Sequence, residues 1–111
     1  MTFTEITNML ETLQLPVAYY QFTQQTALPP PFICYYYEGS DDLAADNTNY
    51  KKIRPLVIEL YTNKKDFALE KTVEDMLNAN GFVYSRAETP IDTEEMYMVV
   101  FRTTAVIEEE A

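Results

Sequence analysis

Apolar residues recur at helical spacing in two separated stretches of this chain, and elsewhere they run in dense or alternating strand-like patterns. Phe3, Ile6, Met9, Leu10 and Leu13 make the first stripe. Thr2 and Glu5 ahead of it have the spacing of a capping box, in which each side chain satisfies a backbone donor of the first turn. Pro16 ends this helix. Leu69, Val73, Met76 and Leu77 make the second stripe, with Glu70, Lys71, Glu74 and Asp75 expected on the outside. Asp66 is a natural N-cap for it, and Gly81 supplies a C-terminal stop.

Five strands are expected, over residues 17–22, 32–38, 53–62, 82–87 and 96–106. Pro55 cannot donate a ladder hydrogen bond, which places the start of the third strand at an edge or outside the sheet. A turn is expected around Pro90, Ile91 and Asp92. The three prolines at 29–31 read as a stiff, extended left-handed connection rather than as a ligand for a partner's aromatic groove. The element order is α-β-β-β-α-β-β. That is an α+β fold: a mainly antiparallel sheet of about five strands flanked by two helices, most simply on one face. A chain of 111 residues makes one domain, expected over residues 1–107, with 108–111 as an acidic tail that frays.

The strand at 32–38 is apolar or aromatic at both alternate sets of positions. Phe32, Cys34 and Tyr36 point one way, and Ile33, Tyr35 and Tyr37 the other. Two helices cover one face, so the second needs another cover, and part of it can come from another molecule. Tyr35, Tyr37, Tyr61 and Tyr97 are expected on that second face. Tyrosine suits an interface because it is flat, rigid and polar at its tip. The plainer alternative is that loops and the proline segment cover these rings.

Charge sharpens this picture. Residues 1–50 hold six acids and no Lys or Arg, residues 51–65 carry +4, and the remainder carries −8, for a net charge of −10. Such a balance disfavours nucleic-acid binding, which depends on neutralising phosphates, and it disfavours an anionic membrane surface. No apolar run approaches the roughly 18–20 residues of a membrane span. The start of the chain lacks the basic and apolar regions of a secretory signal. The single cysteine, Cys34, fits a reducing compartment and reads as an inert core thiol. A basic segment between acidic ones suits head-to-tail docking of like subunits. The bland reading of the acids is a solvated surface.

The parts of a catalytic centre are missing. The chain has no histidine, and its two glycines cannot build a phosphate loop. Asp41, Asp42 and Asp46 invite a calcium reading, but the spacing lacks the glycine and terminal glutamate of an EF-hand loop. Adjacent acids such as Glu94 and Glu95 read as solvated charge. The expectation is a non-catalytic protein with no cofactor and no bound metal.

Three runs carry a family resemblance: LPVAYYQF, LPPPFICYYYEGSDDLAADNTNY and IRPLVIELYTNKKDFALEKTVEDML. The marks within them are PFICYY at 31–36, AAD at 44–46 and ELYTNKKD at 59–66. Over residues 6–102 the chain resembles the phage and prophage tail-terminator or tail-completion (head-to-tail joining) proteins of Gram-positive siphophages. The resemblance implies a twisted antiparallel sheet flanked by helices. It also implies assembly into a ring, commonly hexameric, at the head-proximal end of the tail, between tail-tube and head-connector proteins. Such a protein assembles in the host cytoplasm and ends in the virion tail. Subunit contacts are then expected along the loop at 39–50 and the basic stretch at 51–65, through Asp41, Asp42, Asp46, Tyr50, Lys51, Lys52, Arg54, Tyr61, Lys64 and Lys65, together with Tyr35 and Tyr37 on the preceding strand. The alternative is an acidic module that inhibits a host protein by mimicking nucleic acid, though the basic cluster at 51–65 interrupts the acidic face such a mimic needs.

Overall fold

The computed structural model describes residues 1–20, 29–39, 43–45, 49–91 and 95–108, with backbone alone at 43–45 and 49–51. The elements are α1 (Phe3–Glu11), β1 (Val17–Tyr19), β2 (Phe32–Tyr37), β3 (Leu43–Ala45), β4 (Asn49–Thr62), α2 (Phe67–Ala79), β5 (Tyr84–Ile91) and β6 (Met96–Ile107). The sheet runs β1-β2-β4-β6-β5, and β3 pairs with β4 off this path. β1 lies parallel to β2, and all the other pairings are antiparallel. The expected α+β architecture is the observed one.

The local signals act as their chemistry requires. The capping box of α1 closes in both directions, with the Glu5 amide donating to Thr2 Oγ1 at 3.1 Å and the Thr2 amide to Glu5 Oε1 at 2.9 Å. Asp66 caps α2 by accepting from the Leu69 amide at 3.0 Å. At the far end Gly81 takes φ +80°. Its amide donates to Asn78 O at 3.1 Å and the Phe82 amide to Leu77 O at 2.9 Å, which together make a Schellman motif.

Both helices cover one sheet face. Ile6, Met9 and Leu10 of α1 and Val73 and Leu77 of α2 pack with Ile33, Tyr35, Leu56, Ile58, Leu60, Val99 and Phe101 in one core. Ile6, Leu10, Leu56 and Phe101 are wholly removed from water. Each side chain so buried contributes roughly 1.5–3 kcal/mol.

Several boundaries differ from expectation. Between the strands expected at 32–38 and 53–62 the chain also forms β3, and β4 starts earlier, at Asn49. Pro55 lies inside the central strand, in register with Thr104 of β6. The Glu38 amide donates to the Pro55 carbonyl at 2.9 Å, so the prolyl nitrogen also faces the β2 side, where the β2 ladder has just ended at Leu56. The missing donor therefore meets a local edge and leaves the β4–β6 ladder intact. β5 continues through Pro90 to Ile91, while Asp92 of the expected turn lies outside the described residues; as the outermost strand β5 tolerates the proline. The Pro30–Pro31 peptide is cis, unlike the all-trans extended segment expected. Beyond Lys52, the last β4 residue opposite β6, the segment 49–51 pairs with β3 alone. The radius of gyration is 15.1 Å and the longest extent 51 Å, against about 13 Å for the radius of a compact domain of this length.

Candidate functional site

Around β1 and β2 the structure gathers aromatic rings on both faces of the sheet. On the helix side, Phe3 and Tyr37 meet edge to face with centroids 5.2 Å apart, as do Tyr19 and Tyr35 at 5.2 Å. Tyr35 is buried and shares a 2.7 Å hydrogen bond with Thr7 Oγ1. These residues, with Gly39 and Arg54, line a cleft of about 360 Å³. The Tyr37 hydroxyl is buried in this region without a hydrogen-bond partner among the described residues. Burial, then the neighbouring Tyr35 and Tyr19, push its ionisation above the ordinary tyrosine range.

The opposite face carries a wider groove of about 610 Å³, lined by Tyr20, Cys34, Tyr36, Tyr37, Glu38, Gly39, Glu59 and Tyr61. Glu59 stands at the middle of the sheet. Its register neighbours are Cys34 on β2 and Val100 on β6, both buried. A carboxylate among such neighbours requires hydrogen bonds. Tyr61 donates to Glu59 Oε1 at 3.0 Å and Tyr36 to Oε2 at 3.4 Å. Tyr61 also stacks on Phe32 at 4.8 Å, and Tyr36 lies 5.3 Å from the ring of Tyr20. Burial first and Glu59 second raise the ionisation of Tyr36 and Tyr61, so both hydroxyls keep their protons at neutral pH. Glu38, on the rim, faces Arg102 at 3.5 Å.

The far end of the sheet is organised by charge. Glu70, expected on the outside of α2, is 1% exposed because the helix lies against β5. Arg86 Nη2 of β5 reaches Glu70 Oε1 at 2.6 Å, and Lys65 reaches Oε2 at 2.7 Å. Lys65 also pairs with Glu88, while Glu74 accepts from Tyr84 at 2.9 Å and faces Arg86 at 3.4 Å. Burial works to raise the Glu70 carboxyl, but the hydrogen bonds from Lys65 and Arg86 prevail and hold it below the ordinary range.

The residues expected at an interface are therefore dispersed. Tyr35 and Tyr37 lie on the helix side with Arg54, Tyr97 shares the alternate set of Val99 and Phe101, and Tyr61 is on the opposite face. The single tyrosine face of the sequence reading does not exist, because strand register splits odd and even positions between faces. Lys65 is engaged inside the chain, Lys64 is exposed at the β4–α2 turn, and Lys52 and Arg54 both make interactions. Tyr50 and Lys51 are in β4 by backbone alone, and Asp41, Asp42 and Asp46 lie outside the described residues. Sequence reasoning missed Tyr19, Tyr20, Tyr36 and Glu59 as site residues. The available signal was VIELY at 57–61, where one carboxylate interrupts an otherwise apolar strand.

No protein-family model matches the chain, and no curated protein matches it. Among solved structures it is similar to a chain in the virion of a native gene transfer agent (GTA) particle, with a TM-score of 0.57 over 90% of this chain and 84% of that one. At 16% identity the likeness is one of fold.

Proposed function

We propose that this protein is a non-catalytic structural component of a phage-like virion. It forms an oligomeric ring at the head-proximal end of the tail, as a terminator or completion protein. The observation that carries the reading is the aromatic end of the sheet. Tyr19 and Tyr20 are 54% and 63% exposed on and just after the outermost strand β1, continuous with the ring clusters on both faces. Exposed contiguous aromatic surface marks association sites in soluble proteins. A ring needs one patch to dock on a different patch of its neighbour. The aromatic end is one such patch; the β3-paired end of β4, with Lys52, is the proposed counterpart. The fold likeness to a virion chain and the sequence resemblance to tail-completion proteins support the same assignment. Tail-tube and head-connector proteins are the proposed partners, with assembly in the host cytoplasm.

Sedimentation velocity over a hundredfold concentration range, at low and high salt, tests this. The expected result is a discrete oligomer that a Tyr19→Ser, Tyr20→Ser double variant loses while keeping its fold. A strict monomer under every condition overturns the ring.

A further inference from the structure

The groove on the helix-free face holds a carboxylate that has no cationic partner among the described residues. Its centre is one carboxylate, Glu59, held by the hydroxyls of Tyr61 and Tyr36 and flanked by apolar neighbours. Its rim carboxylate, Glu38, already faces Arg102. One negative charge is thus left inside an aromatic frame of Tyr20, Tyr36 and Tyr61. Rings attract a cation over their faces within about 6 Å, and a carboxylate at the base of the frame adds direct charge pairing.

We infer that this groove receives one Lys or Arg side chain from a basic segment of a partner protein, with Glu59 as the ion-pairing group and Tyr20, Tyr36 and Tyr61 as the cage. Charge complementarity selects the partner. This chain carries a net −10, and among the described residues Lys65, Lys71, Arg86 and Arg102 are committed to carboxylates of their own chain. A basic partner supplies the cation at no cost to those pairs. The groove has room for more than one side chain at about 610 Å³, which suits a segment entering along the sheet with a single cationic anchor.

The test uses capped tripeptides with a central lysine, arginine or norleucine, titrated into protein carrying isotope-labelled tyrosine and followed by NMR. Saturable shifts of the Tyr36 and Tyr61 ring signals are expected with the lysine and arginine peptides and not with the neutral norleucine peptide. Glu59→Gln, which keeps one acceptor oxygen and puts an NH2 donor against the other hydroxyl's oxygen, is expected to weaken binding at least tenfold. Tyr61→Phe, which keeps the ring, should change it only a few-fold. Equal shifts with norleucine, unchanged binding by Glu59→Gln, or no saturable shift at all would overturn the site. Loss of self-association in Glu59→Gln without peptide would assign the groove to a second copy and overturn the basic partner. Cation binding by a protein that never forms a ring would remove the proposed assembly and leave this site standing.

Discussion

The two ends of this sheet are held by opposite chemistry. At the β1–β2 end, Phe3, Tyr19, Tyr35 and Tyr37 pack ring against ring, with the Tyr35 hydroxyl tied to Thr7. At the β5 end, Glu70 is buried between Arg86 and Lys65, and the edge strand carries Arg86, Glu88 and Pro90. Charges and proline on an edge strand discourage further strand pairing. Exposed aromatic rings invite contact. One end of the sheet is closed by its own ion pairs, and the other leaves Tyr19 and Tyr20 exposed.

Among substitutions, the largest effect is expected at the aromatic end. Tyr35→Ala removes a buried ring and should cost about 3–5 kcal/mol in urea unfolding. Tyr35→Phe, which loses only the bond to Thr7, should cost about 1 kcal/mol. At the ionic end Glu70→Ala should cost less, about 1–3 kcal/mol, because Lys65 and Arg86 retain partial exposure and can rehydrate. Added salt separates the two. At about 1 M, where screening is within a few ångströms, the Glu70→Ala penalty should shrink while that of Tyr35→Ala persists.

The same carboxylate sets a pH signature. The folded Glu70 carboxyl is held below its unfolded value of about 4.3. Its stabilisation is therefore complete above that value and is lost as the pH falls through the folded one. Urea midpoints measured from pH 6 downward should decline more steeply for the natural protein than for Glu70→Gln. Parallel declines would show that Glu70 does not carry the dependence. The smallest effect sharpens the comparison from outside both ends: Thr2→Ala, which opens the capping box of α1, should cost about 1 kcal/mol irrespective of salt.

Much of this molecule was legible because its signals are local. The capping box at Thr2 and Glu5, the Asp66 cap and the Gly81 stop depend on spacings of a few residues, and each is seen in its expected place. Glu70 was misplaced because a helical stripe assigns a charge to the solvent side, and only the packing of α2 on β5 brings Arg86 to it. Pro55 was misjudged for a similar reason: its nitrogen faces the last residue of the β2 side, Glu38, where the ladder is ending, which no pattern along β4 itself can display. The split of Tyr35 and Tyr37 from Tyr61 needs the register between strands, and register is a property of pairs. Glu59 was visible as a misfit in its strand, but the tyrosines that surround it come from two strands and the residue after a third.

The length of β4 has a mechanical meaning. The strand joins the β3 pairing at Asn49 to the groove at Glu59 as one continuous element, about 33 Å apart at the usual strand rise. From Lys52 to Thr62 it is bonded to β6, and from Leu56 to Tyr61 also to β2. A pull on its hairpin end runs parallel to the strand and loads all of those bonds together in shear, instead of peeling them one at a time.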